Sequence, residues 1–142
     1  MTEPNENKEP RISNNQIEIL DDYIRLTLKE PLTEEQKEEI QNNINRQSKF
    51  IAYTGGEDDP SFKLCIFSSR KHSDFWEIQK EEFPNATILD AGFYTVINIG
   101  NENHIISGES GTLRTEITKK QTEETRAWLR ENSGIEIKDP WF

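Results

Sequence analysis

Short stretches in which apolar and polar residues alternate are separated along this chain by segments rich in charge. Alternation over KFIAYT (residues 49–54) and FKLCIFS (residues 62–68) predicts two strands, antiparallel to each other and joined by a glycine-containing turn. Further strands are predicted at residues 86–99, 104–107 and 135–137. The first of these three is expected to bend at Gly92, and a turn at residues 98–103 separates it from the next.

Charged segments between the strands carry the signals that begin helices. Thr33 and Gln36 stand three residues apart, as in a capping box, where a hydroxyl and an amide side chain satisfy backbone N–H groups. Few apolar residues follow them, so this helix is expected on the surface. Helices are predicted over residues 33–46, from residue 73 to residue 83, and over residues 118–132, where Gly134 ends the last one.

Residues 16–30 fit two patterns. Alternation of apolar residues from Ile24 to Leu28 indicates a strand, yet Ile17, Leu20, Ile24 and Leu28 also lie on one helical stripe. We favour the strand interpretation.

Domain organisation follows from the same pattern. Residues 1–15 are polar, and this composition predicts a disordered tail. Residues 16–142 are long enough for a single domain, in which residues 16–48 form an N-terminal extension and residues 49–142 the core. In that core, paired strands are separated by helices. The order predicts an α+β fold, with helices packed on a mostly antiparallel sheet.

Acidic residues outnumber basic residues by 27 to 17 in this chain of 142 residues, so the formal net charge is −10. Such a charge disfavours binding to nucleic-acid phosphates, which needs clustered Lys and Arg. No apolar run approaches the ~20 residues of a membrane helix, and no signal peptide is expected at the N-terminus. The single cysteine, Cys65, favours a reducing compartment, so we expect a cytoplasmic protein.

The stretch SGESGTLR, at residues 107–114, lies between a predicted strand and a predicted helix. It matches neither the serine-nucleophile motif G-x-S-x-G nor a P-loop. Its two glycines allow backbone N–H groups to converge on an anion, and Ser110 and Thr112 add hydroxyl donors. A plain strand-to-helix connection explains the same residues, so both interpretations stay open. With one Cys and two His, the chain offers no zinc-ligand spacing, and no metal or cofactor is predicted.

His72 is the candidate partner for that loop, since it stands just before a predicted helix. The positive end of the helix dipole and the neighbouring Arg70 and Lys71 all disfavour a charged imidazole, which leaves a neutral base or nucleophile. The alternative is an exposed histidine with no chemical role. The other histidine, His104, is expected to be a surface or cross-strand residue.

Together these motifs resemble the phosphohistidine phosphatases of the Janus/Ocnus group. HSDFWE, at residues 72–77, is similar to the segment that opens the family's first helix, and KFIAYT to the strand that carries its lysine. GESGT, at residues 108–112, is similar to its Gly-x-Ser loop. The order of elements agrees over roughly the C-terminal two-thirds of the chain. Where the family has a glycine-rich stretch and a following arginine, this chain has Ala91-Gly92-Phe93.

The resemblance implies a metal-independent phosphatase that removes or binds a phosphoryl group of phosphohistidine or phosphoramidate type. The catalytic residues that it implies are His72 and Lys49. The phosphate-binding residues that it implies are Ser73, Ser110, Gly111 and Thr112. His72 either attacks phosphorus or activates a water molecule. The expected partner is a phosphoryl-bearing protein or a small phosphoramidate.

A second hypothesis needs no catalysis. Acidic runs at Glu34-Glu35, Glu57-Asp58-Asp59 and Glu123-Glu124 are typical of a small binding protein, such as an immunity, inhibitor or antitoxin-like protein, that engages a basic partner. Ordinary solubilising surface is the commoner explanation of such runs.

Overall fold

The computed structural model describes residues 14–57, 59–99, 101–108, 110 and 117–137. These residues form the predicted α+β fold, with seven strands in one sheet and three helices among them. The strands are β1 (Gln16–Ile19), β2 (Tyr23–Leu28), β3 (Gln47–Thr54), β4 (Phe62–Phe67), β5 (Thr87–Ile99), β6 (Asn101–Ser107) and β7 (Glu136–Ile137). The helices are α1 (Glu34–Asn43), α2 (His72–Glu82) and α3 (Lys119–Asn132).

The strand order across the sheet is β1-β2-β4-β3-β5-β6-β7. Neighbouring strands are antiparallel, as predicted for β3 and β4, except that β6 and β7 run parallel. A parallel neighbour requires the chain to cross back along the sheet, and α3 lies in that connection. None of the helices in the described ranges combines the length and the apolar character needed to cross a bilayer.

Helices cover both faces of the sheet. Ile40 of α1 and Leu129 of α3 belong to the hydrophobic core on one face. Phe75 of α2 belongs to the core on the other face, together with Ile51 of β3. Because every second residue of a strand points to the same side, Lys49 lies on the α2 face with Ile51.

Residues 16–30 form a hairpin, which confirms the strand interpretation of their ambiguous pattern. β2 lies inside the sheet between β1 and β4, and its residues 24–28 are all buried. Asn15, the last residue of the predicted tail, is also buried. Its side-chain oxygen accepts the backbone N–H of Lys29 at 2.7 Å and that of Glu30 at 3.1 Å, so it belongs to the fold. Residues 1–13 lie outside the described ranges.

Helix α1 begins as predicted, with the capping box between Thr33 and Gln36 formed in both directions. It ends at Asn43, three residues earlier than predicted, because Ile44 adopts an extended conformation that leads into β3. The carboxylates of Glu34 and Glu35 are exposed in its first turn, where they favourably oppose the helix dipole.

Strand β5 differs from the prediction at two places. It pairs with β3 without interruption at Gly92, and the register instead shifts between Ala52 and Tyr53 of β3. The predicted turn at residues 98–103 is also much shorter. Asn98 pairs with Glu102, so both strands continue through polar residues, because a ladder needs backbone groups rather than apolar side chains.

Candidate functional site at the start of helix α2

His72 is the first residue of α2 and is 4% exposed. The alternative interpretation placed this histidine at the surface, and that part of it is wrong because the side chain is buried. The preceding residue, Lys71, is extended and supplies no side-chain acceptor to the first turn. The first N–H groups of an α-helix have no partner inside the helix. The start of α2 thus combines a buried imidazole with a positive helix end that no cap side chain closes.

Two aromatic residues hold the His72 ring. Its centroid lies 5.6 Å from that of Phe67 on β4 and 5.9 Å from that of Phe93 on β5, with both pairs close to perpendicular. Lys49 on β3 is directly opposite Phe67 on one side and Phe93 on the other. The strand register therefore brings Lys49 and His72 to the same two rings. We call His72, Lys49, Phe67, Phe93 and Gly92 the His72 cluster.

A backbone carbonyl orients the imidazole. Nε2 of His72 lies 2.8 Å from the carbonyl oxygen of Gly92 on β5. A carbonyl oxygen only accepts, so Nε2 carries the proton and donates it. In the neutral ring the lone pair is then on Nδ1, and no described residue makes a hydrogen bond to Nδ1. The imidazole thus keeps a fixed tautomer with one acceptor nitrogen available.

The surroundings of His72 keep its ring neutral. Burial is the largest effect and lowers its pKa below the usual 6.5, and the positive charge of Lys49 lowers it further. The hydrogen bond to the Gly92 carbonyl opposes both, since it favours the protonated ring. The net lowering means that Nδ1 is unprotonated at neutral pH and can act as a base or nucleophile.

Lys49 and the basic residues before α2 differ in how their charge is compensated. The ammonium of Lys49 donates to the carbonyl oxygen of Ser68 at 3.3 Å and makes no ion pair with any described carboxylate. Arg70, by contrast, lies 3.1 Å from the carboxylate of Asp22. Of the three basic residues near His72, Lys49 and Lys71 remain to attract an anion, because Arg70 is paired.

Of the predicted phosphate-binding residues, Ser73 lies directly after His72, half-buried in the first turn of α2. Ser110 is buried, and its backbone N–H donates to the carbonyl oxygen of Ala91 at 3.0 Å. That N–H is engaged and would reach a phosphate only after breaking this bond. Gly111 and Thr112 lie outside the described residues. In the described part of the site, the start of α2 is a second source of backbone donors, because the first N–H groups of a helix have no partner inside it.

A buried ion pair that sequence reasoning missed holds the loop against β5. Arg126 of α3 donates through Nε to Asp90 at 2.8 Å, and the two side chains are 8% and 2% exposed. The guanidinium of Arg126 also donates to the carbonyl oxygen of Gly108. The Asp90 carboxylate also accepts a hydrogen bond from the backbone N–H of Ala91. The carbonyl oxygen of Ala91 in turn accepts the backbone N–H of Ser110. The sequence signal was a lone aspartate within the apolar stretch TILDAGFY.

A second polar cluster lies at the other end of α2 and consists of Arg25, Glu18, Gln79, Glu82 and Tyr53. We call it the Arg25 cluster. Arg25 is 5% exposed, donates to both carboxylate oxygens of Glu18 at 2.9 Å, and lies 2.8 Å from Glu82. The side-chain oxygen of Gln79 accepts from Arg25 at 3.3 Å and from the Tyr53 hydroxyl at 2.6 Å.

The Arg25 cluster offers no reactive group. Burial raises the pKa of the Tyr53 hydroxyl, and it raises the pKa of the neighbouring Cys65 thiol to about 12. Both therefore stay protonated at neutral pH, and the Cys65 thiolate that nucleophilic attack needs is not formed. The Arg25 charge is already compensated by Glu18 and Glu82, so we interpret the role of this cluster as structural.

His104 lies on the face covered by α1 and α3, opposite Val96 in the register of β5 and β6. It is cross-strand as expected, but it is 3% exposed, so the expected surface position is wrong. Its Nδ1 lies 3.1 Å from the Tyr94 hydroxyl, and burial lowers its pKa to about 4. Among the described residues, no three His, Cys, Asp or Glu side chains are grouped to hold a metal ion.

Comparisons with protein-family models, curated proteins and solved structures found no match to this chain. The resemblance to phosphohistidine phosphatases stays a prediction from short motifs. Any function assigned to the chain therefore rests on the geometry of its sites.

Proposed function

We propose that the protein binds a phosphoryl group beside His72 and removes it from a nitrogen-linked substrate of phosphohistidine or phosphoramidate type. The observation that carries this proposal is the state of His72. Its Nε2–H is committed to the Gly92 carbonyl, its lowered pKa keeps the ring neutral, and Nδ1 has no hydrogen-bond partner among the described residues. A buried, oriented and neutral imidazole is what general-base or nucleophilic catalysis requires.

Two routes use the same nitrogen. As a nucleophile, Nδ1 forms a bond to phosphorus while the P–N bond of the substrate breaks and the amine leaves with a proton from solvent. Water then hydrolyses the phosphorylated imidazole. As a general base, Nδ1 instead takes a proton from a water molecule whose oxygen forms the new bond to phosphorus. The P–N bond breaks in the same step, and the leaving nitrogen takes a proton from solvent. Both routes place negative phosphoryl oxygens beside His72.

Charge near His72 favours such an anion although the whole chain carries a net charge of −10. The Lys49 ammonium lies on the same face and has no carboxylate partner among the described residues. The start of α2 adds backbone N–H groups and the positive end of the helix dipole. Phosphoryl transfer depends mainly on positioning and charge stabilisation, so these groups suffice without a metal ion.

The test follows the phosphorus of phosphoramidate and of a phosphohistidine peptide by ³¹P NMR, with the metal chelator EDTA present. We expect release of inorganic phosphate by the unmodified protein and at least 100-fold slower release by His72→Gln, since acid–base catalysis contributes about 10²–10⁴-fold. His104→Gln is the matched control, because it removes the other histidine from the opposite face. Equal rates for His72→Gln and the unmodified protein would contradict the proposal.

Mass spectrometry of the acid-sensitive phosphoryl adduct separates the two routes. A phosphoryl group on His72 during turnover would identify the nucleophilic route. Turnover without any adduct would identify the general-base route.

A second candidate function is supported by the surface of α1. A groove of about 920 Å³ runs along this helix and is lined by four carboxylates and no basic side chain in the described ranges. Those carboxylates are Glu34, Glu35, Glu38 and Glu39. Such a surface suits a basic protein partner, whose association would be accelerated by the opposite charge.

Titration with a lysine-rich peptide at two salt concentrations tests this second function. We expect binding that weakens with salt and that Glu38→Lys with Glu39→Lys abolishes. Glu123→Lys with Glu124→Lys is the matched control, because it makes the same charge change on α3. Equal loss in both double variants would mean a net-charge effect and would contradict a specific surface on α1.

A further inference from the structure

Phe93 is an exposed aromatic residue on an interior strand. It is 44% exposed, whereas β5 lies between β3 and β6 in the sheet. The other exposed large apolar residues in the described ranges are Ile19 and Leu20, at the end of β1. A single exposed apolar side chain is ordinary by itself, so the position of the Phe93 ring beside His72 and Lys49 has to support any role for it.

The neighbours of Phe93 include His72 and Lys49, the two residues proposed to be catalytic. Its ring lies perpendicular to the His72 imidazole at 5.9 Å, and Lys49 is its direct cross-strand partner. Directly opposite residues on adjacent strands have Cβ atoms about 5 Å apart. A phosphoryl group that touches both the Lys49 ammonium and His72 Nδ1 therefore has its substituent close to the Phe93 ring.

Gly108, the residue after β6, lies against the same ring. Gly108 has a φ of +76°, and a Cβ added there would lie 2.8 Å from a ring carbon of Phe93. Glycine is thus required at this position both for the left-handed backbone and for the close approach of the ring. The guanidinium of Arg126 fixes the Gly108 carbonyl. The exposed ring therefore contacts Gly108 on one side and His72 on the other.

We propose that Phe93 determines substrate specificity, by stacking on a planar aromatic or heteroaromatic ring that carries the phosphoryl group. This inference rests on the proposed function and adds the class of leaving group. Aromatic rings prefer offset or edge-to-face contacts with each other, and such pairs are more favourable than their buried area alone predicts. An aliphatic phosphoryl compound of the same charge would leave the Phe93 ring in water.

The experiment compares the dissociation constants of inorganic phosphate, methyl phosphate and phenyl phosphate, measured by NMR titration of the full chain. Methyl and phenyl phosphate carry the phosphoryl group through the same ester link, so their comparison isolates the ring. We expect phenyl phosphate to bind about three- to ten-fold more tightly than methyl phosphate, from the usual strength of an aromatic pair.

Variants test whether Phe93 causes that preference. Phe93→Leu keeps an apolar side chain but removes the aromatic face, and we expect the phenyl-to-methyl ratio, measured within the variant itself, to fall close to one. Leu20→Ala, which removes an apolar side chain of similar exposure elsewhere, should leave the ratio unchanged.

Each remaining outcome contradicts a different claim. If all three compounds bind but phenyl phosphate has no advantage, or keeps its advantage in Phe93→Leu, the role of Phe93 is overturned and the proposed function stands. If none of the three compounds binds, the proposed function is overturned, and the specificity inference is overturned with it.

Discussion

The two ends of α2 bury positive or potentially positive groups in opposite ways. At its C-terminal end, Arg25 has a compensating carboxylate on each side, Glu18 at 2.9 Å and Glu82 at 2.8 Å. At its N-terminal end, His72 is kept neutral, and Lys49 faces only a backbone carbonyl among the described residues. A buried charge that is fully compensated by opposite charges stabilises the fold, but it has no remaining attraction for a charged ligand. In the part of the chain that the structure describes, no carboxylate pairs with Lys49, and this is what makes that end a candidate anion site.

Removing the carboxylates of the Arg25 cluster should give the largest change in stability. Glu18→Gln with Glu82→Gln leaves the buried Arg25 charge without an opposite charge, and we expect the free energy of unfolding to fall by about 3–5 kcal/mol. Urea unfolding monitored by circular dichroism measures this loss. The milder Arg25→Met removes the charge itself and should cost less, because Glu18 and Glu82 are about half exposed and stay hydrated. A larger loss in Arg25→Met would contradict this account.

Acidification should affect the two buried histidines and the Arg25 cluster in different pH windows. The pKa of His72 is lowered from 6.5, and that of His104 is lowered to about 4. Their contributions to the free energy of unfolding are therefore complete above pH 6.5 and are lost as the pH falls through the folded-state pKa values. For His104 the loss between pH 6.5 and 4 is about 3 kcal/mol. The Arg25 hydrogen bond lowers the pKa of Glu18 below 4.5, so its contribution declines only below that pH.

Urea midpoints from pH 7.5 to pH 3 test these windows. His104→Gln should flatten the decline between pH 6.5 and 4 and leave the decline at lower pH unchanged. An identical pH profile in His104→Gln would contradict the assignment.

Gly108→Ala, a substitution near His72, should lower the free energy of unfolding by a smaller amount. The substitution places a side chain at φ +76° and within 2.8 Å of the Phe93 ring, and we expect a loss of about 1–3 kcal/mol. The ring of Phe93 must move, so the ring resonances of His72 should shift as well. Gly134→Ala is the matched control, since it has the same φ but meets no atom closer than 3.9 Å. Equal effects on His72 in both variants would mean that the contact with Phe93 is unimportant.

Lys49→Met should have the smallest effect on stability and a clear effect on the site. The ammonium makes one hydrogen bond and no ion pair with a described residue, so we expect the free energy of unfolding to change by no more than about 1 kcal/mol. Because Lys49 lowers the pKa of His72, its removal should raise that pKa. NMR titration of the His72 ring measures the shift, and an unchanged or lower pKa would contradict the proximity of the two groups.

Local signals predicted much of this fold. The capping box at Thr33 and the alternation of β3 and β4 depend on residues close in sequence, and both are confirmed. The ambiguous residues 16–30 could be assigned only by their neighbours, because Ile24 and Leu28 fit a strand and a helix equally well. Burial between β1 and β4 decided between them.

The candidate site was harder to predict where it depends on distant contacts. His72 was identifiable from its place before a helix, but its hydrogen bond to Gly92 spans 20 residues. The Asp90–Arg126 pair joins residues 36 positions apart, and no local pattern indicates which arginine an isolated aspartate meets. The burial of His104 depends likewise on a tyrosine from the neighbouring strand. Partners chosen by tertiary packing are not encoded in short motifs.

The most direct test of the central claim is a phosphate titration of the ¹⁵N-labelled protein, followed at both ends of α2 in one experiment. We expect saturable shifts of the His72 ring and of the Ser73 and Asp74 amides at millimolar phosphate. The amides of Gln79 and Glu82 should not move. Shifts confined to the Arg25 end, or no saturable shift at either end, would contradict the claim that α2 presents its uncompensated end to an anion.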